Sequence, residues 1–193
     1  MSRRPRVALT LNPFAGGGGG SRSFARVLAE GLPRYGVDVS FGPPGRCDCV
    51  VVFAHFGSVR KLTRCRRRGV KIVHRIDERR DPDEIGERGR KHDRIACLNA
   101  LADVTVFQSR FVKGNMGPIC SAPQEVVIYN GVERNGGNNG PYQHRTGIKR
   151  GEKIVLFLGR ITMQKGPECF VGAAKKVLNK FDNVKFVMAG TGD

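Results

Sequence analysis

Apolar residues in this chain come in short unbroken runs set off by turns, not in strict alternation with polar ones. "RVALTL" (6–11), "CDCVVVFAHF" (47–56), "GVKIVHRID" (69–77), "VTVFQS" (104–109) and "EVVIYNG" (125–131) each read as a strand covered on both faces. "KIVLFLG" (153–159) and "VKFVMAG" (184–190) read the same way, and "GVDVSF" (36–41) is a shorter strand. Between these runs the spacing becomes helical. Phe24, Val27, Leu28 and Leu32 share a face, with Ser21 or Ser23 placed to cap the helix. Phe170, Ala174, Val177, Leu178 and Phe181 share another. "SVRKLTRCRRR" (58–68) predicts a short, very basic helix, "IACLNALAD" (95–103) a helix and "RFVKGN" (110–115) a helical turn. The charged segment 78–94 predicts a loop holding a helical turn.

Strands that alternate with helices, and that are apolar throughout, predict an α/β fold with parallel sheets covered by helices. The segment 132–152, "VERNGGNNGPYQHRTGIKRGE", holds glycine, asparagine and proline with almost nothing apolar, and reads as a linker. It divides the chain into a unit over 1–131 and a strand-helix-strand piece over 153–193.

Two turns are placed for chemistry. Gly16, Gly17 and Gly18 belong to a run of five glycines between the first strand and its helix. There the backbone can approach a ligand with no side chain in the way, and a helix N-terminus favours an anion. The run lacks the G-x-G-x-x-G spacing of a dinucleotide site. In "LGRITMQKGPE" the strand stops at Gly159, and Arg160 and Lys165 stand just before a helix that Pro167 begins. Arg offers a planar fork to phosphate oxygens and Lys a point charge. The competing explanation is an ion pair of either cation with Glu168.

The charge extends this picture. The 34 Lys and Arg outnumber the 17 Asp and Glu, for a net charge of +17. Such a balance suits polyanionic company: nucleic acid, an anionic membrane face or a phosphorylated substrate. The six cysteines form no C-x-x-C pair, which argues against zinc spacing and a secreted disulfide framework and for reduced thiols. Asn12 and Pro13 interrupt the N-terminal apolar run, so it is not read as a signal peptide. No apolar run reaches membrane-spanning length.

"VIYNGV" together with residues 153–193 resembles the donor half of the group 1 glycosyltransferases, retaining enzymes of GT-B fold. The resemblance implies two Rossmann-type units, with Gly159, Arg160 and Lys165 meeting the diphosphate of a nucleotide sugar and the glycine-loop amides assisting. "VKFVMAGTGD" matches that family's next strand. The first strand, glycine loop and helix, with "KIVHRID" and "DVTVFQSRFVKG", resemble its acceptor-side domain more loosely. A family histidine near the cleft then suggests His74 or His55, and Arg75 and Asp77 close the same strand. His74, Arg75 and Asp77 are therefore the candidate catalytic residues.

This resemblance implies a hexosyltransferase that uses a nucleotide sugar as substrate, with no cofactor and no metal. It implies an acceptor such as an anionic lipid or polysaccharide, and a cytoplasmic protein peripheral at the inner membrane face. The chain stops before the family's paired glutamates, so the resemblance implies a truncated donor domain. Its uncovered strands would favour self-association. The alternative expectation is a non-catalytic basic module that holds nucleic acid or anionic lipid.

Overall fold

A computed structural model of the chain describes residues 3–16, 19–42, 45–78, 87–131, 149 and 151–192. The chain separates into two compact units, Met1–Val132 and Glu133–Asp193. Most of the expected linker lies outside the described residues.

The first unit runs β1 (Arg6–Leu9), α1 (Gly20–Gly31), β2 (Asp38–Phe41), β3 (Cys49–Phe53), α2 (Val59–Arg67) and β4 (Lys71–Ile76). It continues with α3 (Glu87–Asn99), β5 (Val104–Phe107), α4 (Arg110–Met116) and β6 (Gln124–Val127). The six strands form one sheet in the order β2-β1-β3-β4-β5-β6, and every pairing is parallel. The order reverses between β1 and β3, where open α/β sheets leave a crevice at the carboxyl ends of their strands.

The continuous apolar runs follow from burial on both faces. Along β3, Val50 and Val52 pack with Leu62 and Cys65 of α2 and Leu98 of α3. On the opposite face, Phe53 packs with Leu9 and with Phe24, Ala25 and Leu28 of α1. A third cluster joins Ile76, Ile95, Phe107 and Met116. The α/β expectation holds for each strand, and most strands stop one to four residues short of their apolar runs.

Two local expectations are corrected. The helix α3 begins at Glu87, eight residues before the predicted start. Its first two turns carry charge without apolar periodicity, so only Ile95 and Leu98 signal a buried face. At α1 neither serine caps the helix: Gly19 is the N-cap, without a side-chain hydrogen bond. The Ser21 hydroxyl donates to Asp77 Oδ2 instead, at 2.8 Å.

The second unit has β7 (Lys153–Leu158), α5 (Pro167–Leu178) and β8 (Val184–Ala189). The strands pair in parallel from Lys153–Val184 to Leu158–Ala189, as a right-handed crossover through one helix favours. Phe170 of α5 holds the piece together, its ring 5.5 Å from Phe157 and 5.4 Å from Phe186. Ile154, Leu156 and Leu158, which alternate along β7, stay exposed.

Candidate functional site

The carboxyl edge of the first sheet carries a buried polar network. Arg75, next to last in the central strand β4, has its side chain only 3% exposed, and its Nη1 donates to Asp77 Oδ2 at 2.7 Å. Its Nη2 donates to Asn130 Oδ1 at 2.9 Å and Gln108 Oε1 at 3.3 Å, and the guanidinium lies 3.8 Å over the Phe24 ring. The pair thus ties β4 to α1, to the end of β5 and to the segment after β6. Asp77 Oδ1 is buried and has no hydrogen-bond partner among the described residues. A buried carboxylate oxygen without a donor costs roughly 1–3 kcal/mol.

His74 has a different situation. It is fully buried in β4, and the amide nitrogen of Asn99 lies 3.2 Å from its Nδ1. An amide nitrogen only donates, so Nδ1 accepts and Nε2 donates to the Ala54 carbonyl at 2.8 Å. Asn99 also donates to Thr105 Oγ1 and accepts from the backbone N–H groups of Ser121 and Ala122. Both ring nitrogens of His74 are thereby engaged in the core. Ala54 itself sits at φ +41°, an uncommon backbone for alanine. Its N–H donates to the Arg75 carbonyl at 2.9 Å, so hydrogen bonds to β4 hold it on both sides.

Burial pushes the His74 pKa down to about 4, from 6.5 in an unfolded chain. The unfolded chain therefore takes up the proton first as pH falls. Stability linked to this group is intact above about pH 6.5 and is lost between there and about pH 4, by ~3 kcal/mol in all. Urea midpoints measured across that window should fall accordingly, and His74→Gln should flatten the slope.

His55 lies in the tight turn after β3, where the Phe56 N–H donates to the Phe53 carbonyl at 2.7 Å. Its ring stacks on Phe56, with centroids 4.2 Å apart. Nδ1 is buried without a hydrogen bond among the described residues, since Glu78 Oε1 at 3.7 Å is beyond hydrogen-bond reach. Burial first, then Lys91 and Arg94, hold its pKa below the ordinary value against the opposing pull of Glu78. The imidazole is thus neutral near pH 7.

Around His55 a cavity of about 730 Å³ opens at the reversal point of the sheet. Thr10 after β1, Gly42 after β2 and the turn His55–Ser58 form its floor. Lys61 of α2 and Arg90, Lys91 and Arg94 of α3 form its rim. Arg94 clamps the turn, donating from Nε to the His55 carbonyl at 3.0 Å and from Nη2 to the Gly57 carbonyl. The segment 78–94 has too few apolar residues to signal a helix, so the sequence alone does not bring Arg90, Lys91 and Arg94 together. The basic spacing of α2 was visible, but nothing in it showed which residues faced a cavity.

In the first glycine loop, Gly16 follows β1 at φ +77°. Gly17 and Gly18 lie outside the described residues. In the second unit, Gly159, Arg160 and Lys165 occupy the turn between β7 and α5. Arg160 and Lys165 are both exposed, and neither pairs with Glu168 or another carboxylate among the described residues. Lys165 closes a short 3-10 turn (Met163–Lys165), and Gly166, left-handed at φ 65°, starts α5. The turn is fixed from the β8 side: the Gly159 N–H donates to the Ala189 carbonyl at 3.0 Å and the Ile161 N–H to Thr191 at 2.8 Å. A side-chain carbon at Gly190 would collide with the Gly159 carbonyl oxygen. This close approach is why the 184–190 run ends on a glycine.

Among the described residues no group of three or more His, Cys, Asp or Glu is placed to hold a metal ion. No helix among them is long and apolar enough to cross a membrane.

The fold is of the GT-B glycosyltransferase type. Solved structures that share it include Anabaena HepE in complex with UDP, with a TM-score of 0.64, 12% identity and 98% of this chain covered. Sucrose-phosphate synthase from Thermosynechococcus elongatus gives 0.65, at 14% identity over 98% of this chain. Among curated proteins, an uncharacterised glycosyltransferase of Methanocaldococcus jannaschii is 28% identical over 156 residues, covering 72% of this chain. The 2-deoxystreptamine N-acetyl-D-glucosaminyltransferase of Niallia circulans is 45% identical over 42 residues, covering 22% of this chain. The chain spans 38% of the archaeal relative, 11% of the Niallia protein, 61% of HepE and 71% of the synthase. No family model matches the sequence.

Proposed function

We propose that this chain takes part in sugar transfer from a nucleotide-sugar donor, with retention at the anomeric carbon, as in the group 1 glycosyltransferases. The observation that carries the reading is the β7–α5 turn. It presents Arg160 and Lys165 without a described carboxylate partner, on a backbone fixed by Gly190, at the carboxyl edge of a parallel pair. A diphosphate is the ligand this arrangement fits. The two cations neutralise charge that grows on the leaving diphosphate as the sugar–oxygen bond breaks. UDP in the HepE complex and the glycosyltransferase relatives support the same reading.

In the first unit, Asp77 and Arg75 stay in the proposed site. Asp77 Oδ1 accepts a hydrogen bond from a substrate hydroxyl, and Arg75 holds that carboxylate in place. The histidine suited to contact substrate is His55, which lines the cavity and whose neutral Nδ1 has no hydrogen bond among the described residues, while His74 serves the core. Acceptor hydroxyls therefore meet Asp77 and His55.

Incubation with UDP-glucose and UDP-N-acetylglucosamine, with water as the acceptor so that UDP leaves and the free sugar forms, followed by proton NMR of the anomeric signals, tests turnover. The expected first product keeps the donor's α configuration. A β product contradicts the retaining assignment, and absence of any product contradicts turnover by this chain.

A further inference from the structure

We propose that the basic cavity at the carboxyl ends of β1 and β3 binds the phosphate group of the acceptor. This deepens the sugar-transfer reading and rests on it for the word acceptor; the phosphate site itself stands on the geometry.

Lys61 of α2 and Arg90 and Lys91 of α3 line the cavity, and none has an ion pair with a described carboxylate. The described residues that line it include no Asp or Glu, and Glu78 approaches it at His55, with Oε1 3.7 Å from Nδ1. Three cationic side chains that line one cavity repel one another, and a bound anion reduces that repulsion. Arg94 contributes rigidity, because its hydrogen bonds to the His55 and Gly57 carbonyls fix the floor on which a ligand would rest.

The second ingredient is the start of α2. Ser58 is its N-cap and lines the cavity, yet its side chain caps nothing, and the first turn of the helix holds no acidic residue. The amides of that first turn therefore remain for a ligand, with the positive end of the helix dipole behind them. α2 runs for nine residues, long enough for that dipole to develop.

Size narrows the ligand class. A space of about 730 Å³ exceeds what one phosphate needs and falls in the usual range for small-molecule sites. Thr10 and His55 supply polar contacts for hydroxyls, and Leu62 an apolar wall. The chemistry fits a phosphate ester of a polyol or sugar, whether free or as a lipid headgroup.

The test uses the full chain carrying Arg160→Ala and Lys165→Ala, so that phosphate uptake by the β7–α5 turn cannot be mistaken for this site. Inorganic phosphate and glycerol 3-phosphate are titrated calorimetrically at constant ionic strength set with chloride. Saturable binding is expected, tighter for glycerol 3-phosphate, and at least tenfold weaker after Lys61→Gln/Lys91→Gln. Arg90→Gln, at an exposed position where folding is not at stake, should weaken binding in the same direction.

Vesicles of phosphatidylglycerol in phosphatidylcholine separate the sources. Binding of glycerol 3-phosphate in solution assigns a free phosphate ester. Binding to the anionic vesicles alone, lost in the same variants, assigns a lipid headgroup. The proposal is overturned if neither probe binds saturably, or if binding is unchanged by Lys61→Gln/Lys91→Gln and Arg90→Gln. Wild-type titration with UDP reads the donor site separately, so a failed donor assignment leaves this result intact.

Discussion

Asp77→Ala is expected to destabilise the first unit by about 3–5 kcal/mol, because it strands the Arg75 guanidinium in the protein interior. The side chain of Arg75 is 3% exposed, and its remaining polar partners, Gln108 and Asn130, are neutral. Removal of one member of a buried pair costs far more than removal of both. Arg75→Met/Asp77→Leu should therefore recover most of the loss, since apolar replacements of similar volume are often neutral. Urea unfolding of the single and double variants measures the difference. A loss below about 1 kcal/mol in Asp77→Ala would mean that the guanidinium reaches water and the network is not the anchor described here.

Gly190→Ala should damage the second unit almost as much. The added methyl group meets the Gly159 carbonyl oxygen and carbon, both backbone atoms, so no side-chain rotation relieves the clash. The Gly159 N–H bond to Ala189 must lengthen, and Arg160 moves with it. A cost of about 1–3 kcal/mol or more is expected from such overpacking. Because the displaced strand end carries Arg160, affinity for UDP should fall further than stability does. Nucleotide titration alongside thermal unfolding separates the two effects. An alanine variant that binds UDP as tightly as wild type would remove Gly190 from the account of the turn.

The sequence showed the sheet because each strand announces itself locally. A run such as Val50–Phe53 is apolar throughout only if both faces are covered, and the helices between supply the crossovers. The same property hid the site. The apolar run 47–56 continues past the end of β3 at Phe53, so nothing in it shows that His55 lies in a turn while His74 lies inside a strand buried on both sides. Their difference comes from Asn99, which reaches β4 across the packing of α3 and satisfies His74. Asn99 lies in a segment whose sequence shows only a helix.

Ser21 illustrates a related limit. It sits where a helix cap is expected, and tertiary structure recruits its hydroxyl to Asp77 instead. The cavity cations were concealed for a third reason. Glu87–Arg94 has too few apolar residues to signal a helix, yet α3 is what turns Arg90, Lys91 and Arg94 toward one opening. Arg160 and Lys165 were legible because their cue is local: a strand end, two cations and a proline-started helix within a dozen residues.

The central claim is that the β7–α5 turn holds a nucleotide diphosphate. Calorimetric titration of UDP and GDP into the purified chain, at about 50 mM and about 300 mM salt, tests it most directly. Two cations predict a modest salt dependence, milder than the steep loss expected of a polyelectrolyte contact. The account predicts saturable binding of at least one nucleotide that survives the higher salt and is lost in Arg160→Ala and in Lys165→Ala. Binding that persists unchanged in both variants, or no nucleotide binding by the wild type, would contradict it.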